Sequence, residues 1–446
     1  LLWVRNESVL APAKLLGLPQ EAASVFDPDR WLEALRTLAS QSLRSPVQML
    51  AWLIVLGGLW GRSRVVARLR ATASKVGKPS EDRFQDTLAA MGLTLALAAP
   101  WALFAVITGS QLIRGDAAGP DSAVIGDALI RIAPLLFFLM AFRWLCCRGG
   151  VAEAHFRWNG DGLTQLRREI ALFTATVLPP AFLLLVSLQF LQRDNSVAFT
   201  QVLFLVIVVG VFRFLYQLLR PQTGIVEGLR RRARERPLLR WPWLWAAIAF
   251  SVPFVLGVAS IAGFMYSAGI LLDRLIATLL FVLGVVLLHA LVERSLLVMR
   301  RRVLLREALA RREAARQADD SPGQAATSPA APGIAGEPAA DVASLDADSR
   351  KLVNVALAIG GLIGLAAIWA PVLPALFTLD GIKLWEYTQS IDGVNTLRSV
   401  TAADILVAAL VAALTIAAAK SLPALVESFL RQRRAVHSGS RLAFAT

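Results

Sequence analysis

Thr401–Arg434, TAADILVAALVAALTIAAAKSLPALVESFLRQRR, is the stretch whose reading sets the class of this protein. Thr401 with Asp404 three residues on is a helix N-terminal signal. An uncharged apolar run follows from Ile405 to Ala419 and continues past Lys420 to Leu430. At helical rise Asp404 to Leu430 covers about 40 Å, more than a hydrocarbon core of roughly 30 Å. Ala409, Ala413 and Ala417 share one face at i, i+4 spacing, the small-residue pattern that lets membrane helices approach closely. Arg431, Arg433 and Arg434 close the segment and assign that end to the cytoplasm.

Composition points the same way. Hydrophobic residues make up 56% of the 446 residues and charged residues only 17%, which a water-soluble domain does not show. The net charge of +14 comes in short blocks between apolar runs, where Lys and Arg set topology and meet anionic lipid headgroups. A nucleic-acid reading would want a continuous basic face interleaved with aromatics, and none is present. The two cysteines, Cys146 and Cys147, are adjacent and poorly placed to pair with each other, so no disulfide framework follows. With no initiator Met, n-region or cleavage site, the chain is expected to start inside a longer protein.

Working back along the chain, residues 1–45 are amphipathic and charge-balanced. Trp31, Leu35, Leu38 and Leu43 form a stripe after Asp27-Pro28-Asp29, which predicts a periplasmic lead-in helix. Residues 46–316 predict a seven-helix membrane domain with spans near 46–60, 88–112, 124–145, 170–191, 198–219, 243–265 and 270–298. The last of these continues as a basic cytoplasmic helix, and Pro179-Pro180 predict a kink in the fourth. Residues 317–349 are rich in Ala, Pro, Gly and Ser and contain no Lys or Arg, the composition of a disordered linker. Residues 350–446 hold the last two helices, near 352–377 and at the opening stretch. The expected fold is all-α, a polytopic transmembrane protein of about nine membrane-spanning helices.

Orientation follows from counting. The loops assigned to the cytoplasm carry 31 Lys and Arg against 4 in the opposite loops, a positive-inside bias. The N-terminus is then periplasmic and the C-terminus cytoplasmic, with Ser122, Ser196 and Ser390 outside and Lys78, Gly160 and Gly323 inside. The predicted location is the bacterial inner membrane, crossed many times.

Residues with chemical potential are few. No phosphate-binding loop, HExxH, CxxC or GxSxG occurs, and His155, His289 and His437 are far apart in sequence. The expectation is no catalytic residue, no cofactor and no metal, and hence no enzyme. Intramembrane charges are weighed one by one, because burying them in lipid is costly. Asp127 and Arg131 share a face at i, i+4, and the plainer reading is a structural pair near the interface. His289 and Glu293 have the same spacing, where a packed polar contact is the plainer reading and a proton relay the sharper one. Lys420 and Glu427 lie on nearly one face with Pro423 between them, and there a packed polar end and a hinge both stand.

At these residues the chain resembles a known family. Seven helices, the basic extension MRRRVLLREALARREAARQ, an acidic linker, a lone helix and then KSLPALVESFLRQ resemble the large mechanosensitive channels of the MscS superfamily, of the MscK type. The segments GVAEAHFRW and LTQLRREI, within 150–170, look like that family's inner-membrane domain. The resemblance implies a tension-sensing membrane domain of a homo-oligomeric, heptameric channel that releases ions and small osmolytes on hypoosmotic stress. It implies that Thr401–Leu430 is the first of three channel helices, with the pore helix and a cytoplasmic β-domain beyond. Ala409, Ala413, Ala417, Lys420, Pro423 and Glu427 would then couple tension to the pore. A secondary transporter or a membrane scaffold is the alternative, though no convincing internal repeat appears.

Overall fold

The computed structural model describes residues 12–44, 46–78, 81–114, 119–158, 160–191, 198–219, 242–319, 337–372, 383–391, 394–401 and 408. In chain order the helices are α1 Pro12–Val25, α2 Pro28–Arg44, α3 Pro46–Trp60, α4 Arg62–Ala73, α5 Phe84–Arg114 and α6 Pro120–Leu145. They continue with α7 Gly160–Phe190, α8 Ala198–Leu219, α9 Pro242–Ile261, α10 Met265–Asp319 and α11 Glu337–Trp369. A single π-helical turn, Val151–His155, lies between α6 and α7, and two strands, β1 Lys383–Ile391 and β2 Val394–Thr401, follow α11. The all-α class holds for the membrane part, and the hairpin is an addition to it. The chain divides into two compact units, one of Val4–Asp273 and one of Arg274–Thr446 with Leu1–Trp3.

In the unit Val4–Asp273, α5 to α8 alternate in direction. One cluster of buried side chains joins Val25 and Ala34 of the lead-in helices to Leu112 at the end of α5 and to Ile125 and Ala128 at the start of α6. The same cluster takes in Val186 and Phe190 at the end of α7. These ends therefore share one side, the side that charge counting assigns to the periplasm. The predicted single lead-in helix is a hairpin of two, hinged at Phe26–Asp27, and it caps the bundle there. Its docking is polar as well as apolar. Glu21 accepts a hydrogen bond from the Phe199 amide at the first turn of α8 (2.7 Å), an acid where the helix dipole favours one. Arg30 reaches Asp121 of α6 (3.5 Å) and lies 4.7 Å above the Phe190 ring.

The expected count of nine spans is met in part among the described residues, and the ninth expected span, Thr401–Arg434, lies almost wholly outside them. Among the described residues five helices, α5, α6, α7, α8 and α10, are long and apolar enough to cross a membrane. A sixth exists only if α3 and α4 are taken together, and they meet at 52°. The reason is length and charge. Pro46–Trp60 is 15 residues, about 22 Å at helical rise, and Arg62, Arg64, Arg68 and Arg70 cannot continue it through hydrocarbon. Ala249–Ile261 and Val353–Trp369 are apolar stretches of the longer helices α9, Pro242–Ile261, and α11, Glu337–Trp369.

Other expectations shift in detail. Helix α7, Gly160–Phe190, contains Pro179 and Pro180 within its length. Helix α10 begins at Met265, ahead of the expected span start near 270. The cause is the end of α9. Gly263 takes φ +98 there, with Phe264 N–H bonded to Ala259 O and Gly263 N–H to Ser260 O, a Schellman turn that only glycine enters without strain. The predicted linker is helical at both ends, since α10 extends to Asp319 and α11 starts at Glu337; residues 320–336 lie outside the described residues. Pro338 suits a first helical turn and the alanines after it favour helix.

The strands pair antiparallel from Ile391↔Val394 to Lys383↔Thr401, with one irregularity between Lys383 and Trp385. The two residues between them are Asp392-Gly393, a common two-residue hairpin signal. Thr401, read as a helix start, is the last residue of β2.

Large apolar side chains cover the outside. Leu53, Ile54 and Leu56 of α3, Val209 of α8, Phe254 of α9 and Ile363 of α11 are all exposed. Such a surface suits lipid and would aggregate in water.

Candidate functional site

The helices of Val4–Asp273 are held by glycine crossings and a few polar clasps. Gly109 of α5 and Gly126 of α6 face each other so closely that a Cβ on either would sit 2.6 Å from the other's carbonyl oxygen. A Cβ on Gly210 of α8 would sit 2.5 Å from Val177 Cγ2 of α7, and one on Gly58 of α3 would sit 2.9 Å from Pro100 Cγ of α5. Small residues at helix contacts are how membrane helices gain packing without a hydrophobic drive between them.

Near the capped end, Arg131 Nε donates to Asp127 Oδ2 at 2.6 Å, so the i, i+4 pair forms. Gln189 of α7 donates to the same oxygen at 2.7 Å, which turns a local pair into a clasp between α6 and α7. Arg131 is 63% exposed, so the interhelical share rests on Gln189. Toward the other end, Arg213 of α8 lies 3.3 Å from Glu169 of α7, whose side chain is only 12% exposed. The pair is not legible in the sequence, because Glu169 and Arg213 are 44 positions apart.

That second end carries a collar of arginines. Trp144, buried at the end of α6, has Arg62 Cζ of α4 at 4.6 Å from its ring centroid and Arg167 Cζ of α7 at 5.9 Å. Arg143 is the neighbour of Trp144, and the charges of Arg62 and Arg167 both act on it. Just beyond, the chain winds through Cys146, Cys147 and the π-turn. Gly149 (φ +69) gives its amide to Glu153 Oε2 at 2.7 Å, and the buried His155 ring shares a 3.0 Å hydrogen bond with Thr87 of α5. Burial pushes the Cys146 thiol up to about 12, helped by neighbouring Cys147 and opposed by Arg167. Burial also raises Cys147, against Arg167 and Arg70. Both thiols are therefore unreactive packing groups at neutral pH.

In the unit Arg274–Thr446, His289 and Glu293 come within 3.8 Å, but His289 Nε2 makes its hydrogen bond to Asn354 Oδ1 of α11 at 2.9 Å. Trp369 Nε1 donates to Thr278 Oγ1 at 3.1 Å, and Gly364 meets the Phe281 ring. As positions rise on α10, their partners fall on α11, so the two helices run antiparallel. His289 thus joins two helices. Ala409, Ala413, Ala417, Lys420, Pro423 and Glu427 lie outside the described residues. Among the described residues no three His, Cys, Asp or Glu side chains converge to hold a metal ion.

What remains is a polytopic helical membrane protein, glycine-crossed and arginine-collared. Residues 46–385 match the family described as "Mechanosensitive ion channel inner membrane domain 1". The chain belongs to that family, within the MscS superfamily and of the MscK type, a family of channels and not of enzymes. It is 24% identical over 452 residues to the miniconductance mechanosensitive channel MscM of Escherichia coli (strain K12), covering 100% of this chain and 40% of that protein. It is 25% identical over 403 residues to the mechanosensitive channel MscK of the same organism, covering 88% of this chain and 34% of that protein. The chain thus spans well under half the length of these curated relatives.

Proposed function

We propose that this chain is the membrane-tension-sensing domain of a mechanosensitive ion channel of the inner membrane that passes ions and small osmolytes on hypoosmotic stress. The observation that carries the reading is the set of helices crossed at glycines, with apolar side chains facing outward, in a chain of this family. Helices matched to one bilayer thickness tilt when tension thins it, and glycine crossings without interlocking side chains let one helix move over its neighbour. The N-terminus is periplasmic and the C-terminus cytoplasmic on the 31-to-4 count. The chain works as a homo-oligomer, a heptamer by resemblance, against a bilayer with anionic headgroups.

In this reading residues 46–316 sense tension and the apolar segment 402–430, which follows β2, delivers it. Ala409, Ala413 and Ala417 pack against pore helices, and Lys420, Pro423 and Glu427 form the hinge. The test is patch recording of the full-length protein carrying Ala413→Leu or Pro423→Ala beside the unmodified one. Leucine at 413 overpacks a close contact, and an unequal cost in closed and open states shifts the opening tension. An unchanged threshold in both, at equal expression, removes this segment from the coupling route.

A further inference from the structure

The arginine collar around Trp144 has more positive charge than its surroundings answer. Arg62, Arg143 and Arg167 come from three different helices, α4, α6 and α7, and two of them share one indole. Among the described residues none of the three forms an ion pair. Glu153, the acid near Cys147, is occupied by the Gly149 amide, and Glu169 by Arg213. Part of the repulsion is relieved by the carbonyl end of α6, where a cation is favoured. That relief falls off within the last turn and serves Arg143 first.

The position is equally informative. Helices α6 and α7 are apolar enough to span, and the collar lies where both leave their apolar stretches, level with the 52° bend between α3 and α4. A tryptophan at a helix end belongs to the interfacial zone, and here it carries the guanidinium groups of Arg62 and Arg167 against its ring, at the depth where arginines meet headgroups. A planar fork accepts two phosphate oxygens at once, which an ammonium does not.

We propose that Arg62, Arg143 and Arg167 bracket the phosphate of an anionic phospholipid headgroup in the cytoplasmic leaflet, with Trp144 as the floor of the site. Occupancy ties α4 to α6 and α7 through the lipid, so the bent first segment reports on the same leaflet as the bundle. The inference rests on the membrane reading above but not on channel gating.

The experiment takes the full-length protein, delipidated in detergent, and offers it phosphatidylglycerol, phosphatidylcholine or inorganic phosphate, with retained lipid read by native mass spectrometry. Phosphatidylglycerol is expected to be retained at least threefold more by the unmodified protein than by R62Q/R167Q, with phosphatidylcholine indifferent. R64Q/R68Q removes the same charge from exposed positions of α4 and keeps full retention. R62K/R167K falls between, because charge remains without the fork. Equal loss in both glutamine pairs, or none in either, overturns the site in favour of diffuse attraction. Displacement of the lipid by millimolar inorganic phosphate would make the ligand a free anion and overturn the lipid assignment. Should R62Q/R167Q fail to elute as a folded species, R62Q alone, exposed at the start of α4, reads the same direction. Altered conductance with retention intact would bear on the tension-sensor reading and leave this site standing.

Discussion

Gly109 of α5 and Gly126 of α6 lie against each other, so that a Cβ on either would stand 2.6 Å from the other's carbonyl oxygen. The contact is symmetric. A Cβ at either position would force the two backbones apart at this contact. Gly126→Ala should destabilise the purified protein by about 1–3 kcal/mol, the usual cost of overpacking. Gly92→Ala on the same α5, where a Cβ meets nothing within 4 Å, should be neutral or slightly stabilising. Thermal unfolding of the two variants compares them directly, and equal melting temperatures would remove the crossing from the account.

The clasp at Asp127 divides unequally. Gln189→Ala deletes the interhelical hydrogen bond and should cost about 1 kcal/mol. Arg131→Ala, at an exposed position, should cost close to nothing, since exposed pairs are worth roughly 0–1 kcal/mol. A larger loss for the arginine than for the glutamine would reverse this assignment.

Arg213 and Glu169 are coupled, but Arg213 is 43% exposed and solvent screens the pair. Arg213→Ala leaves a largely buried carboxylate without its cation and should cost on the order of 1–3 kcal/mol, below the figure for a fully buried pair. Adding Glu169→Gln should recover most of that loss. A double variant no better than Arg213→Ala alone would show that the two residues act independently.

Cys146 and Cys147 should resist alkylation in the folded protein. With the Cys146 thiol pushed up to about 12, the thiolate fraction at pH 8 is about one in ten thousand, and Cys147 is shifted the same way. A raised pKa means that reactivity grows as pH increases toward the folded value, so labelling should rise about tenfold from pH 7 to pH 8 and stay poor at both. Detergent denaturation should expose both. Rapid labelling of the native protein at pH 7 would contradict the burial.

Topology can be read with single cysteines in a background lacking those two. Ser122, placed outside by charge counting, is fully buried and bonded to Leu112 O and Gly119 O, so it is a poor reporter. Arg114 and Asp29 are exposed at the capped end, and Arg64 and Lys78 at the other. An impermeant reagent added from the periplasm should label the first two and spare the second two. The opposite pattern would invert the protein.

The class of this protein was legible without coordinates. Apolar runs such as Ala198–Leu219 and Ile270–Val298 declare membrane helices because partition into hydrocarbon is a property of the segment itself, whatever it touches. The arginine blocks at 62–70 and 300–316 are read the same way, each against water and headgroups alone. The i, i+4 pair of Asp127 and Arg131 was visible because helical spacing brings those two together locally. Tertiary structure decided everything that needs two helices at once. Gln189 joining Asp127, Glu169 joining Arg213, Asn354 taking the hydrogen bond of His289, and Gly109 meeting Gly126 all depend on where a second backbone runs. It also decided that Pro46–Trp60 bends at Gly61, and that Arg62, Arg143 and Arg167 meet at Trp144. Hydropathy and charge sum along one chain, whereas close packing depends on the shapes of two surfaces and on which faces they turn toward each other.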